Sequence, residues 1–325
     1  MTLRIGLLGA SRIAESGIIG PANTLGHRLV AVAARDRGRA DSFAEKYGVE
    51  RAVDTYEDVI NDPEVDVIYN PLANSLHAPW NLAAIAAGKP VLSEKPFARN
   101  RVEAQQVAAA AEAASVKVLE AFHYLFHPVT RRLFEVAGDG TLGQLRHVEV
   151  LMTMPAPAAD DPRWSLDMAG GVLMDLGCYS LHVMRMLAAA GGGAPEITGA
   201  GAVQRTPGVD ATFDVDLVFP GGATGHASHS MEADRYEYTI RAVGGAGEAL
   251  VHNFIQPDSD DRITITTATG TTVESLGTRS SYTYQLEAFA ALVLEGAPLP
   301  IGLDDAVDNM AYVDAAYRAA GMDPR

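Results

Sequence analysis

Arg4-Ile-Gly-Leu-Leu-Gly-Ala-Ser-Arg-Ile-Ala14 reads as a short apolar strand that stops on Gly9 and turns straight into a helix over residues 11–25. Gly9, Ser11 and Ala14 occupy the three small-residue positions of the dinucleotide fingerprint G-x-G-x-x-G/A, with serine replacing the second glycine. Gly9 permits the tight turn, Ser11 is small enough for a pyrophosphate to approach the backbone, and Ala14 lets the helix lie close on its strand. The helix start, Ser11, Arg12 and Ile13, offers free N–H groups and a positive dipole end to phosphate.

Outward from this turn, strands and helices alternate. Apolar strands are predicted at 28–34, 51–53, 65–70, 91–93 and 116–121, with helices at 37–47, 56–61, 77–87 and 100–114 between them. Short apolar runs interleaved with helical stretches define a parallel, doubly wound sheet, here a Rossmann domain over residues 1–122. The second strand ends on Ala34-Arg35-Asp36-Arg37. An NAD site places an acid at that strand end for the ribose 2′-hydroxyl. Arg35 instead suits a 2′-phosphate or the adenine face, so NADP is expected in preference to NAD. A shift of one residue would bring Asp36 to the ribose, which keeps NAD open. The loop Asn70-Pro-Leu-Ala-Asn-Ser-Leu-His77 leaves the fourth main strand on the same edge, so Pro71, Leu72, Asn74 and His77 are expected along the cofactor groove. His77, at a helix start, also reads as a structural residue.

Lys89-Pro-Val-Leu-Ser-Glu-Lys-Pro-Phe97 ends a buried strand on Glu94, Lys95 and Pro96, again at the edge where an open α/β sheet presents its chemistry. The chain has only four lysines, Lys46, Lys89, Lys95 and Lys117, against 21 arginines, so an amine between Glu and Pro at a strand end is unusual.

Past residue 122 the period changes. Glu120, His123 and His127 could be read as metal ligands, but Pro128 and the strand ending near Ala121 argue against a shared helix face, and no metal is expected. Residues 145–154 alternate as a half-buried strand. A loop rich in Pro, Ala and Asp leads to Arg163 and Trp164, residues that suit substrate contact or loop anchoring. Gly170-Gly-Val-Leu-Met-Asp-Leu-Gly-Cys-Tyr179 opens a helix on which Asp175, Tyr179 and His182 follow at i, i+4 and i+7, one face of a regular helix. Strands follow at 213–219, 223–231, 236–243, 248–254, 263–267 and 271–276, then helices at 281–294 and 304–320 with Asp304 as N-cap. Residues 123–325 thus form an α+β domain with a large, open, mostly antiparallel sheet, whose last helix is free to pack back on the first domain.

A chain of 325 residues with 48% hydrophobic and 20% charged residues is an ordinary globular protein of two domains. Its net charge of −16 disfavours a nucleic-acid partner. One cysteine, Cys178, rules out an intrachain disulfide and suits a reducing compartment. No secretory signal and no membrane-length apolar run is visible, so a cytoplasmic location is expected.

These features together resemble the glucose–fructose oxidoreductase / inositol dehydrogenase / MocA family, and within it the dihydrodiol dehydrogenase and NADP-dependent D-xylose dehydrogenase branch. The resemblance rests on Leu8 to Ala14, Glu94-Lys95-Pro96, Glu120-Ala-Phe-His-Tyr124, Gly170 to Tyr179 and Tyr284-Gln-Leu-Glu-Ala-Phe289, and it spans nearly the whole chain. It implies a catalytic Lys95, an active-site Asp175, and Tyr179 at a position that is His in inositol dehydrogenases, which argues against inositol as substrate. Oligomerisation, as a homodimer or larger, through the second sheet is implied as well.

The expected reaction is hydride transfer between a sugar, polyol or cyclic diol hydroxyl and nicotinamide, with Tyr179 as general acid/base assisted by Lys95. Glu94 and Lys95 are also expected beside the cofactor, and His123, Arg163, Trp164 and His182 beside the substrate. The rival reading is a non-catalytic NAD(P)-binding sensor or scaffold. No Tyr-x-x-x-Lys, G-x-S-x-G or H-E-x-x-H is present, which sets aside short-chain dehydrogenases and the common hydrolases.

Overall fold

The computed structural model describes residues 2–325, which divide into two compact units. The first comprises residues up to Phe122 together with Tyr282–Asp308, and the second comprises His123–Ser281 and Asn309–Arg325.

The first unit is built on six parallel strands: β1 (Arg4–Leu8), β2 (Arg28–Ala33), β3 (Arg51–Ala52), β4 (Val67–Asn70), β5 (Val91–Ser93) and β6 (Val118–Glu120). Their order, β3-β2-β1-β4-β5-β6, reverses between β1 and β4, the switch point at which doubly wound sheets bind their ligands. The strands are buried almost throughout, so they read as continuous apolar runs. Helices start and stop where the side chains allow. Asp36 accepts from the Arg39 N–H to cap Arg37–Tyr47, which ends on Gly48 at φ 70°. Thr55 and Asp58 form a capping box at Tyr56–Ile60, and Asn100 caps Arg101–Ala114.

The second unit holds eight strands: β7 (Leu145–Thr153), β8 (Glu196–Thr206), β9 (Val209–Val218), β10 (Thr224–Ser230), β11 (Glu237–Gly244), β12 (Gly247–Val251), β13 (Arg262–Thr267) and β14 (Gly270–Ser275). They lie in the order β14-β13-β12-β11-β7-β10-β9-β8, antiparallel except for the β7–β10 pair. Inward residues such as Val148, Val150, Met152, Phe213, Val215, Ala227 and Ile240 are fully buried, while the alternate residues face outward.

The structure adds to the sequence reading at three points. Strand β8 has no counterpart among those read from sequence: Gly199-Ala-Gly-Ala202 offers no apolar alternation, and its pairing with β9 is what makes it a strand. The segment from Tyr282 to Asp308 clusters with the first unit, whereas most of the last helix, Leu303–Ala319, belongs to the second. That helix begins at Leu303, so Asp304 sits inside its first turn and is not its cap.

Candidate active site

The sequence-predicted cofactor residues of the first unit gather at the C-terminal edge of its sheet. Gly9 leaves β1 at φ 93°, a conformation open to glycine, and its N–H donates to the Ala33 carbonyl at 2.8 Å. A Cβ there would stand 2.9 Å from Leu72 Cδ2, so the loop after β4 closes directly over the fingerprint turn. The helix then begins with tight Ala14 N–H to Ser11 carbonyl and Glu15 N–H to Arg12 carbonyl turns, before a π turn at Glu15–Ile19. Gly17, which the fingerprint does not require, lies against this edge: a Cβ on it would meet Tyr69 Oη at 2.3 Å. Tyr69 donates to Glu94 Oε1 at 2.8 Å, and burial together with the Glu94 charge pushes its pKa well up, so it stays a donor.

The turn carrying Lys95 is held from behind. Asn70 donates to Asn81 at 2.8 Å, Asn81 to Ser93 Oγ at 2.9 Å, and Ser93 Oγ to the Glu94 carbonyl at 3.2 Å, a buried amide chain joining β4, the following helix and β5. His77 stands between two loops, Nδ1 2.7 Å from the Pro96 carbonyl and Nε2 2.8 Å from the Leu72 carbonyl. Its pKa is pushed down to about 4, mainly by burial, with the Lys95 charge adding in the same direction. Lys95 is half-buried, and the Lys95–Pro96 peptide is cis.

Beside the fingerprint, a cleft of about 420 Å³ is lined by Ser11, Arg12, Asp36, Arg39, Lys46 and Tyr47 among others. Asp36 caps its own helix here, and Arg39 donates to the Ala10 carbonyl at 3.2 Å. Arg37 turns away into ion pairs with Asp41 and Asp54. Arg35 is exposed and lies near Tyr56, whose pKa is raised by burial against the Arg35 and Arg39 charges. Nothing in the sequence pointed to Arg39 and Lys46 as lining this cleft, because a helix of this composition reads as an ordinary solvated face.

In the second unit the helix bearing Asp175 and Tyr179 is not regular. A π turn at Leu173–Gly177 precedes the α-helical Cys178–Met186, and the wider turn breaks the straight-helix projection that aligned Asp175, Tyr179 and His182. Arg163 Nε donates to Asp175 at 2.6 Å, and its guanidinium also pairs with Asp161. The Asp175 charge raises the Arg163 pKa further, so this cation persists at all working pH. Tyr179, 4% exposed, meets the rings of His123, Tyr124 and Phe254 edge-on at 5.8, 5.8 and 6.4 Å. Tyr124 Oη lies 2.6 Å from His182 Nδ1, so Tyr179 and His182 share Tyr124. His123 Nδ1 lies 2.8 Å from Ser281 Oγ. Trp164 donates to the Pro157 carbonyl at 3.3 Å and carries Arg205 4.3 Å over its ring, contacts that anchor its own loop. Among the described residues, no group of three His, Cys, Asp or Glu side chains could hold a metal, and no helix is long and apolar enough to cross a membrane.

A glycine turn at the switch point of a 3-2-1-4-5-6 sheet, followed in the chain by a second unit with a large antiparallel sheet, defines the class of two-domain dinucleotide-binding proteins. The chain belongs to the GFO/IDH/MocA oxidoreductase family: residues 3–122 match its NAD-binding Rossmann-fold model and residues 130–250 its C-terminal domain model. It is 32% identical to D-xylose 1-dehydrogenase (NADP(+)) 2 of Haloferax volcanii over 98% of this chain and 97% of that protein. It is 36% identical to mouse trans-1,2-dihydrobenzene-1,2-diol dehydrogenase over 79% of this chain and 77% of that protein. Among solved structures, KijD10, a 3-ketoreductase from Actinomadura kijaniata in complex with NADP and TDP-benzene, superposes with a TM-score of 0.90 at 27% identity, covering 98% of both chains. Solved forms of that ketoreductase include variants with one tyrosine or one lysine replaced.

Proposed function

We propose that this oxidoreductase uses NADP to interconvert a secondary or hemiacetal hydroxyl of a sugar, polyol or cyclic diol with its carbonyl, with residues 1–122 serving the cofactor and 123–325 the substrate. The observation that carries the reading is the rigidly mounted Glu94-Lys95-Pro96 turn, fixed through Glu94 by Tyr69 and through Pro96 by His77. The relatives named for D-xylose and for dihydrodiols support the substrate class, and the NADP-bound ketoreductase supports the cofactor.

The residues present fit a dinucleotide. Gly9 makes its turn at φ 93° where a Cβ would strike Leu72, and Ser11, Arg12 and Ile13 follow at the helix start. Asp36 is engaged as a helix cap, while Arg35, Arg39 and Lys46 supply cations suited to a 2′-phosphate. Pro71, Leu72, Asn74 and His77 border the same edge. When bound, the nicotinamide supplies or accepts the hydride. Tyr179 exchanges the hydroxyl proton. A free phenol titrates near pH ~10, so the Lys95 ammonium is assigned the positive charge that brings this exchange toward neutral pH. Asp175, paired with Arg163, orients the substrate, and His123, Trp164 and His182 shape its surroundings. We further assign a cytoplasmic location and a homodimer or larger homo-oligomer formed through the eight-stranded sheet.

The test is the near-ultraviolet absorbance of reduced nicotinamide during incubation with NADP and a panel of aldoses, polyols and cyclic diols. Turnover of one class with NADP supports the assignment, and binding without turnover across the panel refutes it.

A further inference from the structure

Arg325 and Asp210 form an ion pair whose side chains are 2% and 0% exposed. Arg325 Nε also donates to the Gly170 carbonyl at 2.9 Å, and the guanidinium lies 4.1 Å over the Tyr317 ring. Asp210 Oδ1 accepts the Tyr317 hydroxyl at 3.1 Å, and Oδ2 accepts the Leu173 N–H at 2.7 Å. Leu173 is the first residue of the π turn that carries Asp175 and leads into Tyr179.

The two glycines before this helix fit around the pair. A Cβ on Gly171 would stand 2.2 Å from Asp210 Oδ1 and 2.8 Å from Arg325 Nη2, and one on Gly170 would stand 2.4 Å from the Arg163 carbonyl oxygen. Gly171 N–H donates to that same carbonyl at 2.9 Å, and Arg163 in turn holds Asp175. The helix start is therefore clamped on one side by Arg163 and on the other by Asp210 with Arg325.

We propose that Arg325 is a positioning residue for the reaction: through Asp210 and the Gly170 carbonyl it sets the seat of the helix start that presents Asp175 and Tyr179. The inference rests on the assignment of proton exchange to Tyr179. Burial raises the pKa of Asp210 while the Leu173 N–H, Arg325 and the Tyr317 hydroxyl hold it down. Arg325 brings the positive charge that faces this carboxylate, while Tyr317, itself beside Cys178, has its pKa pushed well up and stays neutral. Without Arg325, a buried carboxylate takes up a proton in preference to staying charged, and a protonated carboxyl accepts more weakly from Leu173.

Arg325→Ala is expected to lower kcat about ten- to 100-fold, the scale of small misplacements of catalytic groups, with the cofactor Kd unchanged. Part of the loss returns as pH rises and Asp210 ionises. Arg325→Lys, which keeps a cation, restores most of kcat. Asp210→Asn, neutral at every pH, loses kcat with no recovery at high pH. Hydrogen–deuterium exchange over residues 170–180 is expected to quicken in Arg325→Ala and to stay near wild type in Arg325→Lys. Wild-type kcat and pH profile in Arg325→Ala would overturn the proposal, as would a loss of kcat with unchanged exchange. If Arg325→Ala does not fold, retention of full kcat by Asp210→Asn overturns it. Normal turnover by Tyr179→Phe would instead remove the acid–base assignment, and the exchange result would still decide whether Arg325 holds the helix.

Discussion

His77 Nδ1 stands 2.7 Å from the carbonyl oxygen of Pro96, and its Nε2 stands 2.8 Å from that of Leu72. Both partners only accept, and burial keeps the ring neutral with its pKa near 4, so one ring nitrogen donates at a time. The imidazole links the loop over the fingerprint turn to the loop that carries Lys95. His77→Ala removes the single N–H that serves these two carbonyls, a loss of about 1–3 kcal/mol at a buried site. We expect kcat/KM to fall by about ten- to 100-fold and the cofactor Kd to rise, measured by steady-state kinetics and by cofactor titration. An unchanged Kd would show that His77 does not hold the cofactor loop.

Lys95→Met and Tyr179→Phe address the chemistry itself. General acid–base catalysis contributes about 10²- to 10⁴-fold, so each variant should lose at least about 10²-fold in kcat while cofactor affinity stays within a few-fold. Loss of the Lys95 charge should also move the alkaline or neutral limb of the Tyr179-dependent profile to higher pH, because the phenol then lacks its stabilising cation. Two variants with near-normal turnover would remove both assignments.

Arg39→Ala tests cofactor preference. Arg39 lines the cleft beside Ser11 and Arg12, and a charge-assisted hydrogen bond is worth about 1.5–3 kcal/mol. The Kd for NADP should rise about tenfold or more while that for NAD changes little, as read by fluorescence titration of each cofactor. Equal weakening of both would place Arg39 on the adenine or pyrophosphate and away from a 2′-phosphate.

Acid stability follows from two buried imidazoles. His77 and His229 both have pKa values pushed down from 6.5 to about 4 by burial, and His229 bridges the Phe213 carbonyl and Ser180 Oγ beside Tyr179. Between these pH values the unfolded chain binds more protons than the folded one, so stability rises with pH there and is lost as pH falls from about 6.5 to about 4. A shift of this size corresponds to about 3 kcal/mol for each histidine. His229→Gln should flatten that part of the melting-temperature-against-pH curve, and an unaltered slope would show that His229 is not one of the titrating groups.

The first sheet was largely legible because its signals are local. A strand ending on Gly9 and a lysine between Glu94 and Pro96 each depend on a few consecutive residues, and backbone sterics act at that range, whereas the Asp36 and Asn100 caps came only with the folded chain. Strand β8 was not legible, since Gly199-Ala-Gly-Ala202 has no apolar alternation and gains its conformation from β9. Nor was the π turn at Leu173–Gly177, which replaces the regular spacing that periodicity assumes.

By itself, then, the order of residues determined that a dinucleotide turn, a Rossmann sheet and a second antiparallel sheet would form, and which side chains stand at the strand ends. Tertiary structure decided what those side chains touch. Gly17 is small because Tyr69 and Glu94 lie over it, Asp175 faces Arg163, and Asp210 holds both Leu173 and Arg325, the latter 115 residues away. No periodicity encodes such pairings: a buried charge or hydroxyl takes whatever partner the folded chain brings within reach, and leaving it without one costs more than the local backbone can offset.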